Sequence, residues 1–170
     1  KLFVSLGYPL GNKTNQEYLV PKWVMKSPLW MKRLFLSGLF GAELSSPRTH
    51  TKTGFDCPVF SMNKLSNLIG NARKFCIQIM NLLEEFGVNV DKLQERKEHK
   101  NKFGETSRVR IQISSQESNL VKLWSKIGFS YNRKRTFLAS TAILYIKEKK
   151  EITNKRFQLS QKVKDLKNKG

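Results

Sequence analysis

The sequence predicts an α+β fold, with a four-stranded antiparallel sheet carrying helices on one face and basic helices at the C-terminal end. Three observations point there. Apolar residues recur at helical spacing from Lys64 to Phe86. Two stretches, Leu44 to Asn63 and Val88 to Ser115, read as hairpins around turn residues. A short apolar segment, P-L-W-M-K-R-L-F-L-S-G-L-F-G-A-E-L from Pro28 to Leu44, precedes the first hairpin as a helix of its own. The order is helix, hairpin, helix, hairpin, helix. It divides the chain into a connector over 1–28, a folded unit over 29–130 and a basic helical extension over 131–170.

The connector is punctuated by Gly7, Pro9 and Gly11, and Pro21 and Pro28 bracket its last piece. Pro28 suits the first turn of a helix, where its missing N–H costs nothing. The helix that follows carries four small residues, Ser37, Gly38, Gly41 and Ala42. Each interior glycine costs about 1 kcal/mol relative to alanine. That cost is explained if another helix comes very close, so these four residues are the expected helix interface. Glu43 ends the segment and is the only acid between Glu17 and Asp56. A carboxylate is disfavoured at a helix C-terminus. A surface position is one account of it; a divalent cation held there is the other.

In the first expected hairpin Arg48, His50 and Lys52 alternate and should share a strand face. The Lys64–Phe86 helix should end near Gly87. In the second hairpin Val109, Ile111 and Ile113 point one way, and Arg108, Arg110 and Gln112 the other. Arg96 stands on the long polar strand opposite. Ser118 to Ile127 is a short helix ended by Gly128. Residues 131–170 hold 12 Lys and Arg against 3 acids, with Arg133, Lys134 and Arg135 at the start.

Lys and Arg number 32 against 13 acids in 170 residues, a formal charge of +19. That balance points to nucleic acid before an anionic membrane. No apolar run reaches the roughly 18 residues of a membrane span. Two cysteines, Cys57 and Cys76, fit a reducing, intracellular, cytoplasmic setting rather than a disulfide scaffold. The basic sheet face, with Arg48, His50, Lys52, Arg96, Arg108, Arg110 and Gln112, is the candidate DNA-binding surface, extended by Arg133, Lys134 and Arg135. No mononucleotide loop or dinucleotide fingerprint appears.

The segment F-L-S-G-L-F-G-A-E-L resembles the signature helix of the LAGLIDADG homing endonucleases, with Leu36 to Leu44 on the nine signature positions. The element order resembles that family's αββαββα unit over about residues 29–130. The connector is similar to the stretch before the second signature helix of archaeal intein-type or two-motif members. The resemblance implies a site-specific, Mg²⁺-dependent double-strand DNA endonuclease of the homing type, in an intein or intron-homing context. It implies that the saddle-shaped sheet straddles duplex DNA beside a second copy or a missing N-terminal unit. It further implies that Glu43 binds the metal. Gly41 stands where the motif often has an acid, and Leu44 where it has its final glycine. Ser114, Ser115 and Gln116 stand where the family often places a catalytic lysine, so Lys97 and Lys100 are the nearest basic candidates. The alternative is a maturase-like factor that binds structured RNA, or a DNA-binding remnant that does not cut.

Overall fold

The computed structural model describes residues 2–168. Short helices α1 (Leu2–Ser5) and α2 (Lys22–Met25), with one 3₁₀ turn between them, form an N-terminal arm. Helix α3 (Leu29–Glu43) leads to strand β1 (Val59–Leu65) and helix α4 (Ile69–Glu85). The hairpin β2 (Val90–Asn101) and β3 (Gly104–Ile113) follows, then α5 (Glu117–Lys122), a π-helical turn over Leu123–Ile127 and the 35-residue helix α6 (Arg133–Lys167).

The sheet has three strands, not the four expected. Its order is β1-β3-β2, antiparallel throughout. The first expected strand is reduced to isolated bridges, Leu44 to Phe60 and Thr49 to Phe55. Pro47 and Pro58 cannot donate to a ladder, and the segment's side chains find partners away from the sheet. Phe55 packs edge-on against Trp124 and Tyr145, at 5.5 and 6.0 Å between ring centroids. The Lys149 ammonium donates to the Thr53 carbonyl at 2.9 Å. Residues 45–58 are therefore a loop held against α6, and the four-stranded saddle is replaced by a narrower sheet.

The strand–helix boundary after this loop also differs from expectation. β1 runs through Lys64, and α4 begins only at Ile69. Alternation explains it: Phe60, Met62 and Lys64 are buried, while Ser61 and Asn63 point outward. The inner face of the sheet, with Phe60, Met62, Val109, Ile111 and Ile113, meets the buried stripe Ala72, Phe75, Cys76, Ile79, Leu82 and Leu83 of α4. Burial of such side chains contributes about 1.5–3 kcal/mol each. Lys32 on α3 reaches Glu85 at the end of α4 with both oxygens at 2.7 and 2.8 Å. Helix α6 buries Ala139, Ala142 and Ile146. From Glu151 to Asn168 every residue of it is exposed.

Within the chain, the close approach at the small residues of α3 is made by the turn at Ser130. A Cβ at Gly41 would stand 2.2 Å from the Ser130 carbonyl oxygen. The Ser130 N–H donates to the Ser37 hydroxyl and carbonyl at 2.8 and 3.0 Å, and the two hydroxyls lie 2.6 Å apart. Gly38 has nothing within 4 Å of a Cβ position, and Ala42 is exposed.

Candidate nucleic-acid interface

The register of the three strands makes a polar lattice on the face opposite α4. Residues paired across neighbouring strands share a face. Asn63, Arg108 and Arg96 form one row, Ser61, Arg110 and Gln94 the next, and Val59, Gln112 and Lys92 the third. Eight of these nine positions carry a hydrogen-bonding side chain, and four of the eight are Arg or Lys. Arg96 and Arg108 stand opposite each other, a like-charge pair that destabilises a bare sheet. Glu98 offsets part of it, with a carboxylate oxygen 3.3 Å from Arg108 and 4.0 Å from Arg96. Arg108 also donates to the Asn63 side-chain oxygen at 3.1 Å. Among the described residues Arg110 has no carboxylate within ion-pair distance. Gln94, Glu95, Arg96, Arg108 and Arg110 line a shallow cleft of about 420 Å³, with the Glu95 carboxylate 3.7 Å from Arg73 of α4. An anion placed there would meet guanidiniums from two strands.

Beside this lattice, between the N-terminal arm, α3 and the free edge of β1, lies a larger cavity of about 590 Å³. Its walls include Tyr18, Trp23, Phe35 and Leu39, and its mouth has Asn63 and Arg108. The arm is pinned to the sheet by Lys64. The buried Lys64 ammonium donates to the Lys13 carbonyl at 2.7 Å and to the Gln16 carbonyl, and lies 3.9 Å from the Tyr18 ring centroid. Burial pulls its pKa down to about 8, against a smaller upward pull from Glu17. Burial, and next the negative charge of Glu43, pushes the Tyr18 hydroxyl up to about 12.

The remaining candidates are dispersed. Arg48 and His50 leave the sheet and close on Asp56, at 2.6 and 3.0 Å. The Arg48 hydrogen bond, aided by its charge and by His50, lowers the Asp56 carboxyl below the usual range. Lys52 is exposed on the same loop. Lys97 faces Ser107 and Lys100 faces Glu105 on the hairpin, and neither lines the cavity at Glu43. Arg133 and Lys134 are exposed in the first turn of α6. Arg135 donates to the carbonyls of Phe40 and Gly41 at 2.9 Å each, and the Asn132 amide donates to Gly41 at 2.8 Å. These satisfy carbonyls that the end of α3 leaves unpaired. A guanidinium from α6 thus stands at the negative end of α3. Glu43 is exposed and supplies one carboxylate. Among the described residues no three His, Cys, Asp or Glu stand together as metal ligands.

Sequence reasoning missed Asn63, Ser61, Gln94 and Lys92 as members of the polar face. The alternation F-S-M-N in β1 carries that signal for the first two. Nothing in the chain order signals that Asn132 and Arg135 return to α3.

Curated proteins similar to the chain include tRNA-splicing ligase RtcB of Pyrococcus furiosus, 30% identical over 167 residues, which cover 95% of this chain and 16% of that protein. tRNA-splicing ligase RtcB of Methanopyrus kandleri is 31% identical over 94% of the chain and 15% of its own length. The DNA-directed RNA polymerase subunit Rpo1N of Methanocaldococcus jannaschii is 29% identical over 98% of the chain and 12% of its own length. The chain therefore spans less than a fifth of the length of these relatives. No protein-family model matches it, and no solved structure is significantly similar. These findings correct the endonuclease reading. The proteins similar to this chain include tRNA-splicing ligases, an RNA polymerase subunit and a replication factor C small subunit, none of them named for DNA cleavage, and the sheet lacks the fourth strand of the αββαββα saddle. The LAGLIDADG resemblance, the homing, intein and intron context and the duplex-DNA partner are withdrawn with it. Among the described residues no helix is long and apolar enough to cross a membrane.

Proposed function

We propose that the chain is an RNA-binding module that holds structured RNA on the outward face of its sheet, in the manner of a maturase-like splicing helper. The observation that carries this reading is the three-by-three lattice, in which Arg96, Arg108, Arg110, Gln94 and Gln112 stand side by side on one face. A-form RNA offers a wide, shallow minor groove rimmed by phosphates and 2′-hydroxyls. A short sheet with guanidinium and amide groups matches that surface. Guanidiniums take the phosphates, and Gln and Asn donate to or accept from the 2′-hydroxyls. The formal charge of +19 adds long-range attraction.

Most of the relatives' names support RNA as the partner, since five are tRNA-splicing ligases and one is an RNA polymerase subunit, against one replication factor C small subunit. The shared stretch occurs in proteins named for different activities and fills a small part of each. A stretch of that kind is read as a module carried within them, so ligation is not assigned to its residues. Its two free thiols fit work in a reducing, cytoplasmic compartment.

The test is the affinity of a tRNA-like hairpin for the purified chain and for a variant with Arg96→Ala, Arg108→Ala and Arg110→Ala. Loss of at least about tenfold is expected, because each phosphate contact adds to the electrostatic part of binding. Arg48→Ala, which touches only the Asp56 loop, should have little effect. Equal affinity of the triple variant and the parent would remove the sheet face from the account.

A further inference from the structure

We propose that the 590 Å³ cavity beside the sheet takes a single unpaired nucleotide of the bound RNA, with its base inside the cavity and its phosphate in the arginine cleft. The proposal rests on the RNA reading above and deepens it by naming a subsite. Three observations carry it.

Arg108 lines both cavities. A nucleotide likewise joins an apolar, planar base to an anionic phosphate through one sugar, and a site for it needs an aromatic chamber and a cationic one side by side. The chamber is walled by Tyr18, Trp23, Phe35 and Leu39, which offer π-faces and apolar edges to a base. Sequence-specific RNA recognition is dominated by such unstacked bases, held by aromatic side chains and bonded on their edges. The cleft meanwhile holds Arg96, Arg108 and Arg110 beside Glu95, whose carboxylate turns to Arg73 of α4 at 3.7 Å, while Glu98 stands 3.3 Å from Arg108 and 4.0 Å from Arg96. The cross-strand arginine pair costs stability in the free protein and becomes favourable when an anion sits on it.

The polar groups of the chamber indicate which base fits. Glu43 stands in its wall, and Asn63 is held at its mouth by Arg108. A carboxylate only accepts hydrogen bonds. Guanine presents two adjacent donors, N1–H and the exocyclic amine, to the two carboxylate oxygens. Uracil presents one. Guanine is therefore the preferred occupant.

The experiment compares hairpins that carry one bulged guanosine, one bulged uridine, one abasic bulge or no bulge, with binding followed by fluorescence anisotropy. The bulged guanosine is expected to bind about tenfold more tightly than the abasic or fully paired hairpin. Leu39→Trp, which fills the chamber from a side chain only partly buried against the core, should abolish that advantage and leave the paired hairpin unaffected. Glu43→Gln should bring guanosine and uridine together. A 2-aminopurine placed in the bulge should be quenched on binding to the parent and not to the Leu39→Trp variant. Equal binding of all four hairpins, or an advantage unchanged in Leu39→Trp, overturns the subsite while leaving the sheet-face reading in place. Failure of every hairpin to bind would overturn both.

Discussion

At the scale of single residues, Gly38 and Gly41 show what spacing conveys and what it does not. Both belong to one small-residue series in the sequence, and both signal close approach. Only Gly41 has a neighbour, the Ser130 carbonyl, and that neighbour arrives from 89 positions later in the chain. Gly41→Ala should therefore destabilise the protein by about 2 kcal/mol, as expected for an overpacked contact with rigid backbone. Gly38→Ala should stabilise it by about 1 kcal/mol through helix propensity. Urea unfolding of the two variants checks both signs. Lys64 makes a pH prediction. Its folded pKa is about 8 against an ordinary 10.5. Between those values the unfolded chain holds a proton that the folded chain lacks, so stability rises with pH across that window. The neutral amine still donates to the two carbonyls of the arm. Relative to Lys64→Met, the parent should gain on the order of 2 kcal/mol from pH 8 to pH 10.5. The comparison cancels Cys76, whose buried thiol is pushed up to about 12 in both proteins. A difference that stays flat across the window would mean that Lys64 is not titrating there.

At the scale of elements, periodicity located α3, α4 and the β2–β3 hairpin within a few residues, because each repeats one pattern over many positions. It failed for residues 45–58, where Arg48, His50 and Lys52 alternate as in a strand. Alternation says which side chains would share a face, but not whether a neighbouring strand offers hydrogen bonds. Here Asp56 draws in Arg48 and His50, Phe55 docks on Trp124, and two prolines interrupt the ladder. Lys64 was misread for a related reason. A lysine looks like a helix-start residue, and its burial depends on carbonyls of the arm 48 and 51 positions away. Helix α6 was legible as helix and basic, but not as one continuous rod. Its 35 residues span about 52 Å at 1.5 Å per residue. Only the first part buries side chains against the body. A chain ended after Lys150 should keep its melting temperature within about 2 °C, since the segment removed contributes no buried core. Calorimetry decides it, and a drop of 10 °C would show that the distal half packs on the body.

At the scale of the whole molecule, charge was the most readable property and the partner the least. A net +19 calls for a polyanion whatever the fold. The choice between duplex DNA and structured RNA depends on the shape of the surface carrying that charge. Four strands curved into a saddle would follow a major groove. Three strands with the arm beside one edge make a smaller face next to an aromatic chamber. The alternation of Arg108, Arg110 and Gln112 with Val109, Ile111 and Ile113 was visible in the sequence and is preserved. Its neighbours Asn63, Ser61, Gln94 and Arg96 come together only through register, which pairs residues 41 to 53 positions apart in β1 and β3 and is not written in either strand alone.

The most direct measurement is the salt dependence of binding to a tRNA-like hairpin, for the parent and for the Arg96→Ala, Arg108→Ala, Arg110→Ala variant. The logarithm of affinity falls linearly with the logarithm of salt concentration, by about 0.7–0.9 for each phosphate contacted. The account predicts a steep slope for the parent and one shallower by about 2 to 3 for the variant. Parallel lines for the two proteins would contradict it, because the RNA would then be held by charge spread over the molecule and not by the face of the sheet.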